Sequence, residues 1–241
     1  MIMSRLLKAV TFDFWDTLFY ATDYTNGRIN FLTAFLEKEG FFQERKSVKT
    51  AYLVSQNVFY NTWKYEQRYI SAAERTEIVL AELKITLSEE LKRRVIKEFE
   101  EIILRVPPPI MHDAETVLQS LHRRYKIGLI CDSGMAPGNI LTRILKKHKI
   151  LKYFHSTVFS DEIGYTKPHA KIFGHALEKL QLFPEEVAHV GDLLSTDVAG
   201  AQAFGMKAIW YNWKDDNNEK KMKIAPDYVI KKLPQLYQIL T

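Results

Sequence analysis

The sequence predicts an α/β protein with a parallel sheet at its centre and a helical block inserted after the first strand. Two patterns lead there. From residue 113 to residue 230, short apolar runs alternate with amphipathic stretches, the mark of a parallel sheet covered on both faces. From Thr22 to about Arg105 the pattern is helical throughout, with no strand between. A third observation bears on function. The first apolar run ends in Asp13, a carboxylate at the carboxyl end of a buried strand, where open α/β sheets bind their ligands.

The elements follow in chain order. Ala9–Phe14 reads as the first strand. The helical block then breaks near Gly40, at Ser71 and at Ser88, which divides it into four helices. Ser71 with Glu74 three residues on is a capping box, whereas Ser88 with Leu91 is a cap without the box. Tyr52, Gln56, Phe59, Tyr60 and Trp63 form a row on the second helix, aromatic but for Gln56 and read as bundle core; Leu91, Val95, Phe99, Ile102 and Ile103 form the apolar row of the fourth. Pro107-Pro108-Pro109 is a stiff, extended linker that ends the block. Helices are then expected at 113–125, 137–148, 170–180 and 196–204, and strands at 127–131, 157–159, 187–190, 208–210 and 228–230. The polar stretch Asn212–Lys223 reads as a solvated loop. Because the first strand must join the same sheet, the four helices are an insertion, hinged near Phe19–Thr22 and at the prolines. An insertion rooted at the active end of a sheet is well placed to act as a lid.

With 241 residues, 46% hydrophobic and 26% charged, the chain can bury a sizeable core. There is no apolar run of the roughly 18 residues that a membrane span needs, and the start lacks the features of a signal peptide. The single cysteine, Cys131, excludes an internal disulfide and fits a reducing cytoplasm. The net charge of +5 is spread over Lys92-Arg93-Arg94, Arg123-Arg124, Lys146-Lys147 and Lys220-Lys221, the pattern of solvated surface and not of a nucleic-acid interface. A basic balance also steers small anionic substrates toward a site.

Four strand ends carry polar groups: Asp13 with Asp16 and Thr17; Cys131-Asp132-Ser133-Gly134; Lys167-Pro168; and Gly191-Asp192, with Asp197 five positions on. In a parallel sheet these ends converge on one edge. Clustered carboxylates need a cation to offset their repulsion, and hard oxygen ligands suit magnesium. A lysine neutralises further charge, as phosphoryl transfer requires.

These four segments resemble the motifs of the haloacid dehalogenase-like (HAD) hydrolase superfamily. The first, D-x-D-x-T, stands here as Asp13-Phe14-Trp15-Asp16-Thr17; the second matches Ile130-Cys131-Asp132; the third is Lys167-Pro168; the fourth is Gly191-Asp192-Leu193-Leu194-Ser195-Thr196-Asp197. The resemblance implies a Rossmann-like core over residues 1–20 and 107–241 with a helical cap domain over 21–106. It implies that Asp13 attacks phosphorus, that Lys167 holds Asp13 and the phosphate, and that Mg2+ sits on Asp13, Asp192, Asp197 and the main-chain carbonyl of Trp15. Thr17, Cys131, Asp132, Ser133 and Trp15 are the candidate substrate-binding residues, for a small phosphorylated substrate.

Two positions depart from the pattern. Trp15 stands where family phosphatases carry a second aspartate, the acid–base group, and losing such a group typically costs about 10²–10⁴-fold in rate. Cys131 stands where a phosphate-binding Ser or Thr is usual, and a thiol is the weaker donor; Ser133 is placed to substitute. Three activities therefore stay open: a magnesium-dependent phosphohydrolase, a 2-haloacid dehalogenase-like enzyme whose halide leaves unprotonated, and an impaired protein that binds a ligand or partner without turnover. A phosphonate hydrolase using a cap lysine such as Lys46, Lys49 or Lys64 is a minor fourth. The sequence does not indicate an oligomeric state.

Overall fold

In the computed structural model, which describes residues 7–216 and 223–240, β1 (Ala9–Phe12) is fully buried and lies between two strands that follow it far apart in the chain. The elements after it are α1 (Thr25–Lys38), α2 (Arg45–Asn61), α3 (Ala72–Leu83), α4 (Glu89–Arg105), α5 (Ala114–Leu121), β2 (Lys126–Cys131), α6 (Gly138–Lys147), β3 (Ser156–Phe159), α7 (Ser160–Ile163), α8 (Ala170–Leu180), β4 (Val187–Gly191), α9 (Ala199–Ala203), β5 (Lys207–Tyr211), β6 (Tyr228–Ile230) and α10 (Leu236–Ile239). Six parallel strands run in the order β3-β2-β1-β4-β5-β6. The chain winds outward one way from β1 and the other way from β4. The reversal between those two strands opens a crevice at their carboxyl ends.

The chain divides into two compact units. One holds the chain up to Ala21, Pro108–Asp132 and everything from Leu145; the other holds Thr22–Pro107 and Ser133–Ile144. In the first, strand side chains Ile130, Val158, Val187 and Ala208 close over Phe173, Leu177 and Val198 from the flanking elements, giving the sheet its apolar cover. In the second, α1–α4 bury Ile29, Leu32, Tyr52, Val79, Val95 and Phe99 around one core, which Met135 joins. The capping box of α3 forms, with Glu74 N–H donating to Ser71 Oγ and Ser71 N–H donating to Glu74 Oε2; Ser88 caps α4 through Leu91 N–H. No described helix is long and apolar enough to cross a membrane.

Several local expectations change. The first strand stops at Phe12, because Phe14 and its neighbours turn sharply, with Leu18 and Phe19 N–H both donating to Phe14 O. The expected helix at 196–204 starts earlier, as a π-helical turn over Leu194–Val198 that runs into α9. The four-residue α7 and the turns of the C-terminus at 233–239 are present without apolar periodicity long enough to predict them. Of the aromatic row on α2 only Tyr52 is buried, and Tyr60 is half exposed. The helix passes into a π-helical turn at Thr62–Glu66, in which Thr62 is buried and Trp63 is half-buried. Residues 217–222 of the expected solvated loop, with the pair Lys220-Lys221, lie outside the described residues; at its start, Asn212 and Asp216 hydrogen-bond to each other.

Candidate active site

Asp13 continues the register of β1 by donating its N–H to Val190 O of β4 at 2.9 Å, and only then does the chain leave the sheet. Phe14 anchors the turn from a fully buried position, stacked on Phe19 with ring centroids 4.5 Å apart and edge-on to Trp15. Asp16 takes a positive φ of 52°, a region that aspartate tolerates better than most residues. Its side chain is held on both oxygens, by Ala21 N–H at 3.0 Å and by Lys214 Nζ at 2.6 Å. Thr17 is fully buried, and its hydroxyl has no partner among the described residues. Trp15 is half-buried.

Lys167 reaches the same place from the segment after α7. Its own N–H donates to Asp132 Oδ1 at 2.9 Å, which ties that segment to the end of β2. Its buried Nζ donates to Asp13 Oδ1 at 2.5 Å and to Asp197 Oδ1 at 2.6 Å. Asp197 is fixed further: Leu193 N–H reaches its Oδ2 at 3.0 Å, and His189 Nε2 lies 3.1 Å from its Oδ1. Gly191 makes room for this, since a Cβ at that position would overlap the Asp197 side chain. Asp13, Asp192 and Asp197 each bring a carboxylate oxygen within 4.8 Å of the others.

The charges do not balance within the protein. Burial raises the Asp13 carboxyl to about 7, Lys167 pulling it down and Asp197 pushing it up. Burial, then Asp197 and Asp13, raise Asp192 to about 8. Burial acts the same way on Asp197, but Lys167 and His189 outweigh it and hold that carboxyl below its ordinary range. Burial alone would depress Lys167; Asp13 and Asp197 instead keep it charged, well above its ordinary value. One lysine thus faces three acids, two of which hold protons near neutral pH unless a further cation compensates them. The Asp192 carboxylate has no hydrogen-bond donor among the described residues; its main-chain oxygen accepts from Trp210 Nε1 at 2.9 Å. This surplus of hard oxygen and negative charge fits a divalent cation of the magnesium type.

The sequence candidates therefore divide. Asp13, Asp132, Lys167, Asp192 and Asp197 are linked at one sheet edge. Cys131 is wholly buried at the end of β2, and burial, reinforced by Asp13, pushes its thiol well above the ordinary value. Ser133 is buried but belongs to the helical unit. Lys46, Lys49 and Lys64 are exposed side chains of that unit. Sequence reasoning passed over His189, Thr11 and Lys214. A signal existed for the first two: each is a polar residue inside a strand whose every neighbour is buried.

Comparison with known proteins gives the family and the fold. A model of the haloacid dehalogenase-like hydrolase family matches residues 7–205. The chain is 36% identical over 127 residues to a glyceraldehyde 3-phosphate phosphatase of Pyrococcus furiosus, a match covering 52% of each chain, so it spans about half the length of that relative. It is 28% identical over 215 residues to the Methanopyrus kandleri protein of the same name, covering 85% of this chain and 83% of the other. Among solved structures, a HAD phosphatase from Thermococcus onnurineus superposes with a TM-score of 0.65 and 25% identity, covering 97% of this chain and 98% of that one.

Proposed function

Because the chain belongs to the haloacid dehalogenase-like hydrolase family, we propose that it is a magnesium-dependent phosphohydrolase acting on a small phosphorylated substrate through an aspartyl-phosphate on Asp13. The observation that carries this reading is the bridging of two buried carboxylates by one buried lysine beside a third, uncompensated acid. Relatives named as phosphatases support the same class of substrate.

Asp13 and Asp192, with the main-chain carbonyl of Trp15, would hold the magnesium ion; bound there, it would supply positive charge to offset the phosphate oxygens. Asp197 lies in the same cluster, but its oxygens already accept from Lys167, His189 and Leu193, so its part is to fix Lys167. Lys167 occupies Oδ1 of Asp13 and leaves Oδ2 for attack. The Asp13 oxygen bonds to phosphorus as the bond to the leaving oxygen breaks; water then attacks phosphorus and frees the carboxylate. Neither step draws a proton from Trp15, so leaving groups that need little protonation react best. Thr17, Asp132 and Ser133 complete the reading as loop and substrate-binding residues, with the helical unit as a cap. One buried thiol fits a reducing, cytoplasmic setting.

Trp15 favours one second reading, carbon–halogen cleavage, in which the leaving halide needs no proton. The two are separated by assay. Hydrolysis of an aryl phosphate is expected to require Mg2+, to stop in EDTA, and to be lost in Asp13→Asn. Chloride release from 2-chloropropionate without metal would instead establish dehalogenation.

A further inference from the structure

Thr11 and His189 take no part in the chemistry just described, yet they lie directly behind it. They are registered partners on the adjacent parallel strands β1 and β4, so their side chains leave the same face of the sheet. Asp13 follows Thr11 by two residues and Gly191 follows His189 by two, which puts all four positions in one patch at the crevice. Gly128, registered opposite Thr11 on β2, lies so close that a Cβ there would be 2.8 Å from Thr11 Cγ2. The Thr11 methyl thus occupies the side toward β2, and its hydroxyl is turned to β4, 2.9 Å from His189 Nδ1. The other ring nitrogen, Nε2, is 3.1 Å from Asp197 Oδ1, the same oxygen that Lys167 holds at 2.6 Å.

These contacts dictate where the ring proton sits. A carboxylate oxygen only accepts, so Nε2 must carry the hydrogen. Lys167 already places a full positive charge on that oxygen, which disfavours a second cation beside it. A neutral ring with its hydrogen on Nε2 has a bare Nδ1, and the Thr11 hydroxyl must donate to it. The alternative acceptor for that hydroxyl, Ala188 O, is 3.4 Å away and competes weakly.

We infer that Thr11 and His189 are positioning residues: Asp197 requires the Nε2–H tautomer of His189, Thr11 holds that ring by donating to its bare Nδ1, and the ring so held pins Asp197 so that Lys167 is aimed at Asp13. The chain of contacts is Thr11, His189, Asp197, Lys167, Asp13, every member buried and every link within 3.1 Å. This rests on the phosphohydrolase reading for its catalytic consequence only; the tautomer itself does not.

The test has two arms. In the first, 15N NMR of histidine-labelled protein is expected to find the His189 hydrogen on Nε2, with Nδ1 unprotonated; Thr11→Val, which keeps the shape and removes the hydroxyl, is expected to leave the hydrogen on Nε2 and to shift the Nδ1 resonance, which loses its donor. A hydrogen on Nδ1 in the native protein, or an Nδ1 resonance unchanged in Thr11→Val, overturns the inference. In the second arm, His189→Leu is expected to lower kcat about 10–100-fold, the usual range for partners that orient a metal or catalytic ligand, with KM changed less than about threefold. His189→Gln, whose amide offers a donor near Nε2, is expected to restore most of the loss. A folded His189→Leu protein with kcat within about twofold of native also overturns it. If the native protein hydrolyses no phosphate ester, the phosphohydrolase reading falls and the NMR arm alone decides this one. Should His189→Leu fail to fold, Thr11→Val supplies both readouts.

Discussion

Lys167 in the sheet unit and Arg75 in the helical unit are both buried cations, at 2% and 5% exposure, and they are accommodated in opposite ways. Lys167 sits between two carboxylates at ion-pair distance. Arg75, on α3, has no carboxylate partner among the described residues; its Nε and Nη2 have no acceptor, and its guanidinium lies 5.3 Å from the ring centres of both Tyr52 and Phe59. Burial, with Arg28 adding to it, lowers the Arg75 pKa, whereas the acids around Lys167 raise its value. A network of ionic hydrogen bonds makes each member depend on the others; a cation shielded by aromatic faces depends on little. The difference separates a site whose charges must be completed from a scaffold whose charge is merely tolerated.

The largest expected break comes at Lys167. Lys167→Met keeps length and removes the charge, leaving Asp13, Asp192 and Asp197 to repel one another. Removing one partner of a buried ionic network typically costs about 3–5 kcal/mol. Urea unfolding in EDTA at pH 8 is expected to register a loss of that order, and added Mg2+ is expected to return part of it. A loss below about 1 kcal/mol would mean that the carboxylates do not rely on Lys167.

The next effect is a pH dependence confined to the same unit. Asp13 and Asp192, raised to about 7 and about 8, keep protons that the unfolded chain, with its lower carboxyl value, has already released. Where the native state binds more protons, stability falls as pH rises. Other shifts of this unit have the opposite sign but act elsewhere: His148, His155 and His189, depressed chiefly by burial, oppose the slope only below their ordinary value of 6.5, and Asp197 and Asp227 act only at acid pH. Between pH 6.5 and 8.5, protein in EDTA is therefore expected to lose stability, by up to about 1.4 kcal/mol per pH unit for each proton released. Excess Mg2+ is expected to flatten the slope, since a cation favours the ionised acids. A melting temperature that stays level across this range in EDTA would contradict the charge imbalance at the sheet edge.

What the sequence made legible follows the same division. Strand ends were readable because apolar runs stop abruptly at Asp13, Cys131 and Gly191, and topology does the rest by bringing parallel strand ends to one edge. The four helices were readable from period and caps. Pairings were not. His189 meets Thr11 across 178 positions, and Lys214 meets Asp16 across 198. Nothing local marks such contacts except the anomaly of a polar residue in an apolar strand. The same blindness let the α2 row pass as core: periodicity identifies a face but not how much of it is covered, and Tyr60 is half exposed. Arg75 was the least legible, because its position on α3 resembles any charged helix residue until the rings of α2 are seen to cover it.

The smallest expected effect, and the sharpest check on the comparison, is Arg75→Met. Two opposing contributions meet there. Contacts of a guanidinium with two rings contribute about 0.5–2 kcal/mol each, depending on how desolvated they are. Against them stands the cost of burying a charge with two nitrogens unmatched, about 1–3 kcal/mol for each unsatisfied polar group and more when it is ionised. Methionine fills similar volume, keeps favourable contact with the rings and needs no acceptor. The terms nearly cancel, so the unfolding free energy is expected to move by about 1 kcal/mol or less, in either direction, where Lys167→Met moves it several-fold more. Arg75→Lys distinguishes charge from shape: it keeps the cation but loses the planar fork that lies against the rings, and is expected to be the less stable of the two substitutions. If Arg75→Met were instead as damaging as Lys167→Met, the arginine would be a keystone of the helical core, and aromatic shielding would rank with ionic pairing as a way of holding a buried charge.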